Sequence, residues 1–147
     1  MGSIAEVTGS VVYLDTNIFV YALEGYSEYE AVLREFFDDV AKGTVKAVTS
    51  ELTLAEVLVK PLMEARDDIC RAFDDAIRDS SGLEVMPIAR EILIEAARIR
   101  SESGVRLPDA IHLATAVLSG CDSFITNDKS ISDLPGLKVV YISDLIN

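Results

Sequence analysis

The chain has 147 residues, 50% of them hydrophobic and 26% charged, which suits one globular domain spanning residues 1–147 around one sizeable core. Its formal net charge is −12, and this excludes a nucleic-acid binder that works through a broad basic surface. A polyanionic partner would have to be met by bound cations or by a local patch drawn from Lys42, Lys46, Arg98, Arg100 and Arg106.

The elements alternate along the chain. VVYL, Val11 to Leu14, is a short apolar β-branched run and predicts a buried strand. A helix is expected from Asn17. Tyr29, Val32, Leu33, Phe36 and Val40 recur at helical spacing, and Gly43 ends that helix. Val45 to Val48 predicts the second strand. Ser50 is a natural N-cap for a helix that Pro61 is expected to end. Leu62, Ala65, Ile69, Phe73 and Ala76 form one long amphipathic stripe, stopped at Gly82. Leu83 to Met86 predicts a third strand, and Ile88 to Ser103 a helix closed by Gly104. Pro108 opens the next helix, where its missing N–H costs nothing, and Gly120 closes it. Ser123 to Ile125 and Lys138 to Ile142 are the last strands. This order predicts an α/β fold: a parallel sheet of about five strands with helices on both faces.

Neither of the two cysteines, Cys70 and Cys121, has metal-ligand spacing, and both are expected as free thiols in a reducing compartment. No basic segment followed by an apolar run opens the chain, and no apolar run is long enough to cross a membrane. A cytoplasmic protein without a membrane partner is the expectation.

In a parallel sheet the ligand crevice lies beyond the carboxyl ends of the strands. Asp15 directly follows VVYL, Asp128 follows SFIT, and Asp109 stands in the first turn of the helix LPDAIHLATA, which feeds that strand. Glu56 lies about two turns into the helix after the second strand. Each has an ordinary reading. Asp15 can cap a helix, Asp128 suits a turn, and Asp109 can pair with Arg106. Glu56 belongs to a polar stripe with Thr49, Thr53 and Lys60, and can pair with Lys60 in solvent. Their convergence would be costly, about 3 kcal/mol for each pair at ~5 Å and an effective dielectric of ~20. A fold tolerates that only where protons or cations neutralise the site, and oxygen ligands favour Mg²⁺ or Mn²⁺. His112 follows Asp109 by one turn on the same face, either as a proton shuttle or ligand, or as a hydrogen-bonded core histidine.

The segments VVYLDTNIFVYAL, TSELTLAEVLVKP, LPDAIHLATA and FITNDKSI resemble the four motifs of PIN-domain nucleases, in the family's order and spacing. The short chain most resembles the VapC-type toxins of toxin–antitoxin pairs. The resemblance implies a PIN-like three-layer fold and a metal-dependent endoribonuclease acting on RNA. It implies a four-carboxylate site of Asp15, Glu56, Asp109 and Asp128 that binds Mg²⁺ or Mn²⁺. Thr16, Asn17, Thr126 and Asn127 flank the acids and would orient ligands or water. Many relatives carry an aromatic residue shortly after the fourth acid, where this chain has KSIS. An antitoxin partner and a homodimer are also implied, with apolar side chains around Phe36, Phe37, Leu54 and Leu58 available for the dimer. The alternatives are an RNA-processing nuclease that is not a toxin and a non-catalytic PIN-like domain that binds protein. Phosphatases of the haloacid dehalogenase type repeat an aspartate two residues after the first, where this chain has Asn17. Response-regulator receivers need adjacent acids after the first strand, which are missing.

Overall fold

A strand covered on both faces is apolar at every position, not at alternate ones. VVYL meets that demand. Val11–Leu14 is β1, the central strand of a five-stranded sheet in the computed structural model, which describes residues 4–146. The others are β2 (Lys46–Ser50), β3 (Leu83–Met86), β4 (Ser123–Thr126) and β5 (Lys138–Tyr141), in spatial order β3-β2-β1-β4-β5 with every pairing parallel. A short helix, α1 (Ile4–Thr8), precedes β1. The crossovers are α2 (Thr16–Leu23) with α3 (Glu30–Ala41), α4 (Glu51–Met63) with α5 (Asp67–Ala76), and α6 (Arg90–Ser103) with α7 (Leu107–Leu118).

The alternation along β1 divides the core between two faces. Val12 and Leu14 pack with Ile18 and Phe19 of α2, Phe36 of α3, Val57 of α4 and Phe73 of α5. Tyr13 points the other way, into α6 and α7, among Ala96, Ile99, Ala110 and Leu113. Its ring stacks on Phe124 with centroids 5.0 Å apart. The three-layer α/β expectation therefore holds.

The strand order also locates the crevice. From β1 the chain steps outward through β2 to β3, then returns to lay β4 on the opposite side of β1. The order reverses between β1 and β4, and open α/β sheets bind ligands at the carboxyl edge of such a switch point. The backbone N–H of Asp15 donates to the carbonyl of Ile125 at 3.0 Å, so the two strand ends are tied together there.

Several boundaries differ from the sequence expectation. Helix α2 begins at Thr16, β2 runs on to Ser50, and α1 had no sequence signal. Pro61 does not end its helix: α4 continues to Met63 with Pro61 inside and buried. The proline falls in the last turn, so its missing N–H removes one hydrogen bond near the helix end, and burial of its ring offsets that loss. The single stripe from Leu62 to Ala76 is two segments. The N–H of Arg66 donates to the carbonyl of Pro61 at 2.8 Å and that of Ala65 to Leu62 at 3.2 Å, a Schellman closure with Ala65 left-handed at φ 53°. An alanine there carries no glycine-like stop signal, which is why the sequence hid the break. Leu62 consequently stands 63% exposed. Gly82 stops no helix, since α5 ends at Ala76. It allows a close approach: a Cβ there would lie 2.4 Å from Cγ1 of Val40. Phe36, expected to be available for a dimer, is buried in the core, while Phe37, Leu54 and Leu58 are partly buried against it.

Candidate active site

Each acid reaches the carboxyl edge by its own local device. Asp15 leaves β1 in extended conformation and caps α2, its Oδ1 accepting from the Thr16 N–H at 2.8 Å. Its Oδ2 accepts from the Thr126 hydroxyl at 2.7 Å. The capping reading and the site reading of Asp15 are thus compatible, because the cap lies at the strand's end. Asp128 follows β4. Its N–H donates to the Thr126 hydroxyl at 3.0 Å, and its Oδ1 accepts from the N–H and hydroxyl of Ser130 at 2.9 and 2.6 Å. Those Ser130 bonds hold the Asp128 carboxyl below its usual value.

Asp109 enters from α7. Arg106 is the N-cap, Pro108 sits in the first turn, and Asp109 is 8% exposed. Its Oδ2 lies 3.3 Å from Nε of Arg106. Burial raises the Asp109 carboxyl above its usual value, and the charges of Asp15 and Asp128 add to the rise while Arg106 opposes it. Three acids therefore share one electrostatic neighbourhood.

Glu56 comes from α4, and the polar stripe that carries it divides, Glu56 and Lys60 lying at the surface and the two threonines inside. Thr49 and Thr53 are fully buried, with hydroxyls 2.8 Å apart. Lys60 is not the partner of Glu56. Its Oε1 accepts from the Thr16 hydroxyl at 2.7 Å and lies 2.6 Å from Nε2 of His112. Burial alone would raise this carboxyl. The bonds to His112 and Thr16, with the charge of Arg106, outweigh it and hold Glu56 below its usual value. His112 Nε2 also stands 3.9 Å from Asp15 Oδ1, so the histidine bridges toward both acids.

The flanking polar residues divide. Thr16 and Thr126 serve the acids directly. Asn17 donates to the Thr126 hydroxyl at 3.4 Å. Asn127 turns away, donating to the hydroxyls of Tyr29 at 3.0 Å and Tyr21 at 3.4 Å. The KSIS loop is completed from elsewhere: Ile131 is buried, the Tyr141 hydroxyl donates to its carbonyl, and Lys129 Nζ lies 4.2 Å above the Tyr141 ring. The aromatic ring at this loop comes from β5. Of the cations, Lys46 pairs with Glu84, Arg98 with Glu95 and Glu102, and Arg100 binds the Val105 carbonyl. Arg106 is the one whose charge acts on Glu56, Asp109 and Asp128 together. Its side chain is 78% exposed.

Among the described residues, no three histidine, cysteine, aspartate or glutamate side chains converge tightly enough to hold an ion by themselves. That is compatible with Mg²⁺, which keeps several waters and takes one or two carboxylates plus substrate phosphate rather than a full protein cage. Two features fit such an ion. Burial favours the proton on Asp109, a penalty a cation would relieve, and Oδ1 of Asn17, beside Thr126, is buried without a hydrogen-bond partner. A metal-bound water is a natural donor to that oxygen.

The family model for the PIN domain matches residues 12–137. Solved structures of the same fold include VapBC-5 of Mycobacterium tuberculosis, a toxin–antitoxin system, at 26% identity and TM-score 0.60, covering 90% of this chain and 98% of that one. A toxin–antitoxin complex from Klebsiella pneumoniae matches at 26% identity and TM-score 0.63, with 86% and 94% coverage. The sarcin–ricin-loop-cleaving toxin VapC20 of M. tuberculosis matches at 16% identity and TM-score 0.61, with 77% and 86% coverage. No curated protein matches the sequence.

Proposed function

The chain belongs to the PIN domain family, and on that premise we propose that it is a divalent-metal-dependent endoribonuclease, the toxin of a toxin–antitoxin pair. The observation that carries this is the position of Asp15 and Asp128 just after β1 and β4 at the sheet's switch point, with their charges acting on a buried Asp109. Burial and neighbouring acids both penalise a charged carboxylate, and a bound cation would relieve that penalty.

Asp15, Asp109 and Asp128 would hold Mg²⁺ or Mn²⁺, with Glu56 bonding directly or through water. The bound ion supplies a water activated as nucleophile and neutralises charge at the leaving oxygen. The chain's own residues do the rest. Thr126 and the Thr16 N–H fix both oxygens of Asp15, so that ligand is oriented before metal arrives. Ser130 fixes Asp128 in its charged form. Arg106, paired with Asp109 through Nε and otherwise exposed, would take a phosphate of the incoming strand. It offers a local cation to a substrate that the −12 surface otherwise repels. With water as nucleophile rather than the ribose 2′-hydroxyl, the products carry 5′-phosphate and 3′-hydroxyl ends.

Toxin–antitoxin complexes among the structural relatives support a protein partner. An antitoxin can enter the same cleft with a basic side chain and pair with the acids in place of metal. A homodimer would cover what remains exposed of Phe37, Leu54 and Leu58, which pack in part against the chain's own core, and light scattering at high micromolar concentration tests it. The main test is cleavage of RNA with Mg²⁺ or Mn²⁺, its loss in excess EDTA and its return on adding metal. Cleavage that persists in EDTA and in Asp109→Asn overturns the metal mechanism. Activity unaffected by saturating cognate antitoxin removes the toxin role and leaves an RNA-processing nuclease.

A further inference from the structure

His112 is the chain's only histidine, and no step above uses it. It is 1% exposed in α7, one turn after Asp109. Both ring nitrogens have short contacts: Nδ1 is 2.6 Å from the Tyr13 hydroxyl and Nε2 is 2.6 Å from Oε1 of Glu56. An ionised carboxylate only accepts, so Nε2 carries hydrogen toward Glu56. The Tyr13 phenol is fully buried, and an ordinary phenol, with a pKa of about 10, keeps its hydrogen at neutral pH. It has a hydrogen to donate to Nδ1. In a neutral imidazole the tautomer with hydrogen on Nε2 satisfies both bonds, Nδ1 accepting from Tyr13.

The direction of this chain is informative. Tyr13 and His112 lie in the dry core between the sheet and α7, but Glu56 at its end has a third of its side chain exposed at the cleft. A buried imidazole needs a partner at each nitrogen, and the partner of the outer one here is the carboxylate of a candidate site acid. Glu56 projects from a different helix on a long side chain that can adopt several rotamers. Thr16 alone leaves the carboxylate free to pivot about one hydrogen bond, and His112 adds the second point of fixation on the same oxygen.

We propose that Tyr13 and His112 are positioning residues, a buried relay that holds the Glu56 carboxylate in place at the metal-binding edge. This rests on the nuclease reading above, and the two fail differently.

The test exploits the geometry of the two amide side chains. Glutamine at 112 places its amide nitrogen near the Nε2 position and keeps a donor for Glu56. Asparagine reaches only the Nδ1 position, keeping the Tyr13 link and losing Glu56. Expected is His112→Gln within about threefold of wild-type kcat and His112→Asn lower by about tenfold or more, with KM little changed. In a Glu56→Gln background the two variants should be equal, because the group they act through is already altered. Melting temperatures of all variants are measured alongside. A purely structural histidine predicts that activity follows stability, and that the same loss appears in both backgrounds.

A second readout needs no activity. In metal-free protein, ¹⁵N NMR of the single histidine should show hydrogen on Nε2 and a bare Nδ1, and Tyr13→Phe should replace this with a tautomer mixture. Hydrogen predominantly on Nδ1, or Asn and Gln variants of equal activity in an active wild-type background, overturns the relay alone. A wild-type protein that cleaves no RNA with either metal overturns the nuclease reading and the relay's role in it together.

Discussion

Asp109 and Glu56 both arrive at the cleft on helices, yet the fold treats them in opposite ways. Asp109 stands in the first turn of α7, nearly buried, and its side-chain partner is an exposed arginine. Its carboxyl is pushed up. Glu56 lies two turns into α4, more exposed, and is held by a buried histidine and a threonine hydroxyl. Its carboxyl is pulled down. Burial by itself does not decide a carboxylate's charge: the donors aimed at it do. In one acid the neutral form is favoured, and in the other the charged form is favoured and held by two donors.

The largest effect that sharpens this contrast is on catalysis. Asp109→Asn should lower cleavage by about 10³-fold, equivalent to ~4 kcal/mol of barrier, in a single-turnover assay with Mg²⁺. Glu56→Gln should cost less, about 10- to 100-fold, because the aspartates and their hydroxyl partners remain. Equal losses would erase the distinction between the two acids.

Stability separates them by sign. Asp109 binds its proton more tightly folded than unfolded, so its contribution favours the fold below the ordinary carboxylate pKa of about 3.9 and is lost as pH rises through its raised folded value. Without metal, Asp109→Asn should therefore melt roughly 2–5 °C higher than wild type at pH 7, and the gain should vanish near pH ~3.5. Glu56 runs the other way. Its lowered carboxyl stabilises the fold above the ordinary value of about 4.3, and that contribution is lost as pH falls through the depressed one. Glu56→Gln should melt lower than wild type at neutral pH, with the deficit shrinking in acid. Calorimetric scans of both variants in EDTA decide the matter, and shifts of the same sign would break the comparison.

Smaller effects test the neighbours. Arg106→Ala should weaken RNA binding by about three- to tenfold at low salt and reduce the slope of log affinity against log salt by about one phosphate contact, roughly 0.7 for a single strand. Fluorescence anisotropy across a salt series measures it, and an unchanged slope removes Arg106 from the substrate. Thr126→Val strips one oxygen of Asp15 of its donor and should cost about 1 kcal/mol in denaturant unfolding, with a further loss of activity that Thr126→Ser restores.

Much of the architecture was legible along the chain because periodicity and capping are local. The run VVYL, the Ser50 cap, Pro108 in a first turn and Gly104 after a helix each act within a few residues, and their elements fall where expected. The misreadings come from places where local chemistry was silent or outweighed. Ala65 adopts a left-handed conformation without glycine, and Pro61 remains in a helix because its ring is packed. The acids were legible as candidates, Asp15 and Asp128 because each follows a strand, and Glu56 only through the resemblance of its motif.

By itself the sequence determined the alternating α/β order, the two-sided burial of the central strand and the delivery of three aspartates toward one edge, since all of these follow from residue type and spacing within single elements. Only the tertiary structure decided which groups meet there. Thr16 and Glu56 are 40 residues apart, Tyr13 and His112 are 99, and Thr126 and Asp15 are 111. A hydrogen bond works over about 3 Å, so no pattern along the chain can show whether a polar stripe on α4 faces water or a histidine from α7. That depends on how the sheet brings β1, α4 and α7 together, and of the two readings open for Glu56 it gives the carboxylate Thr16 and His112 as partners rather than Lys60.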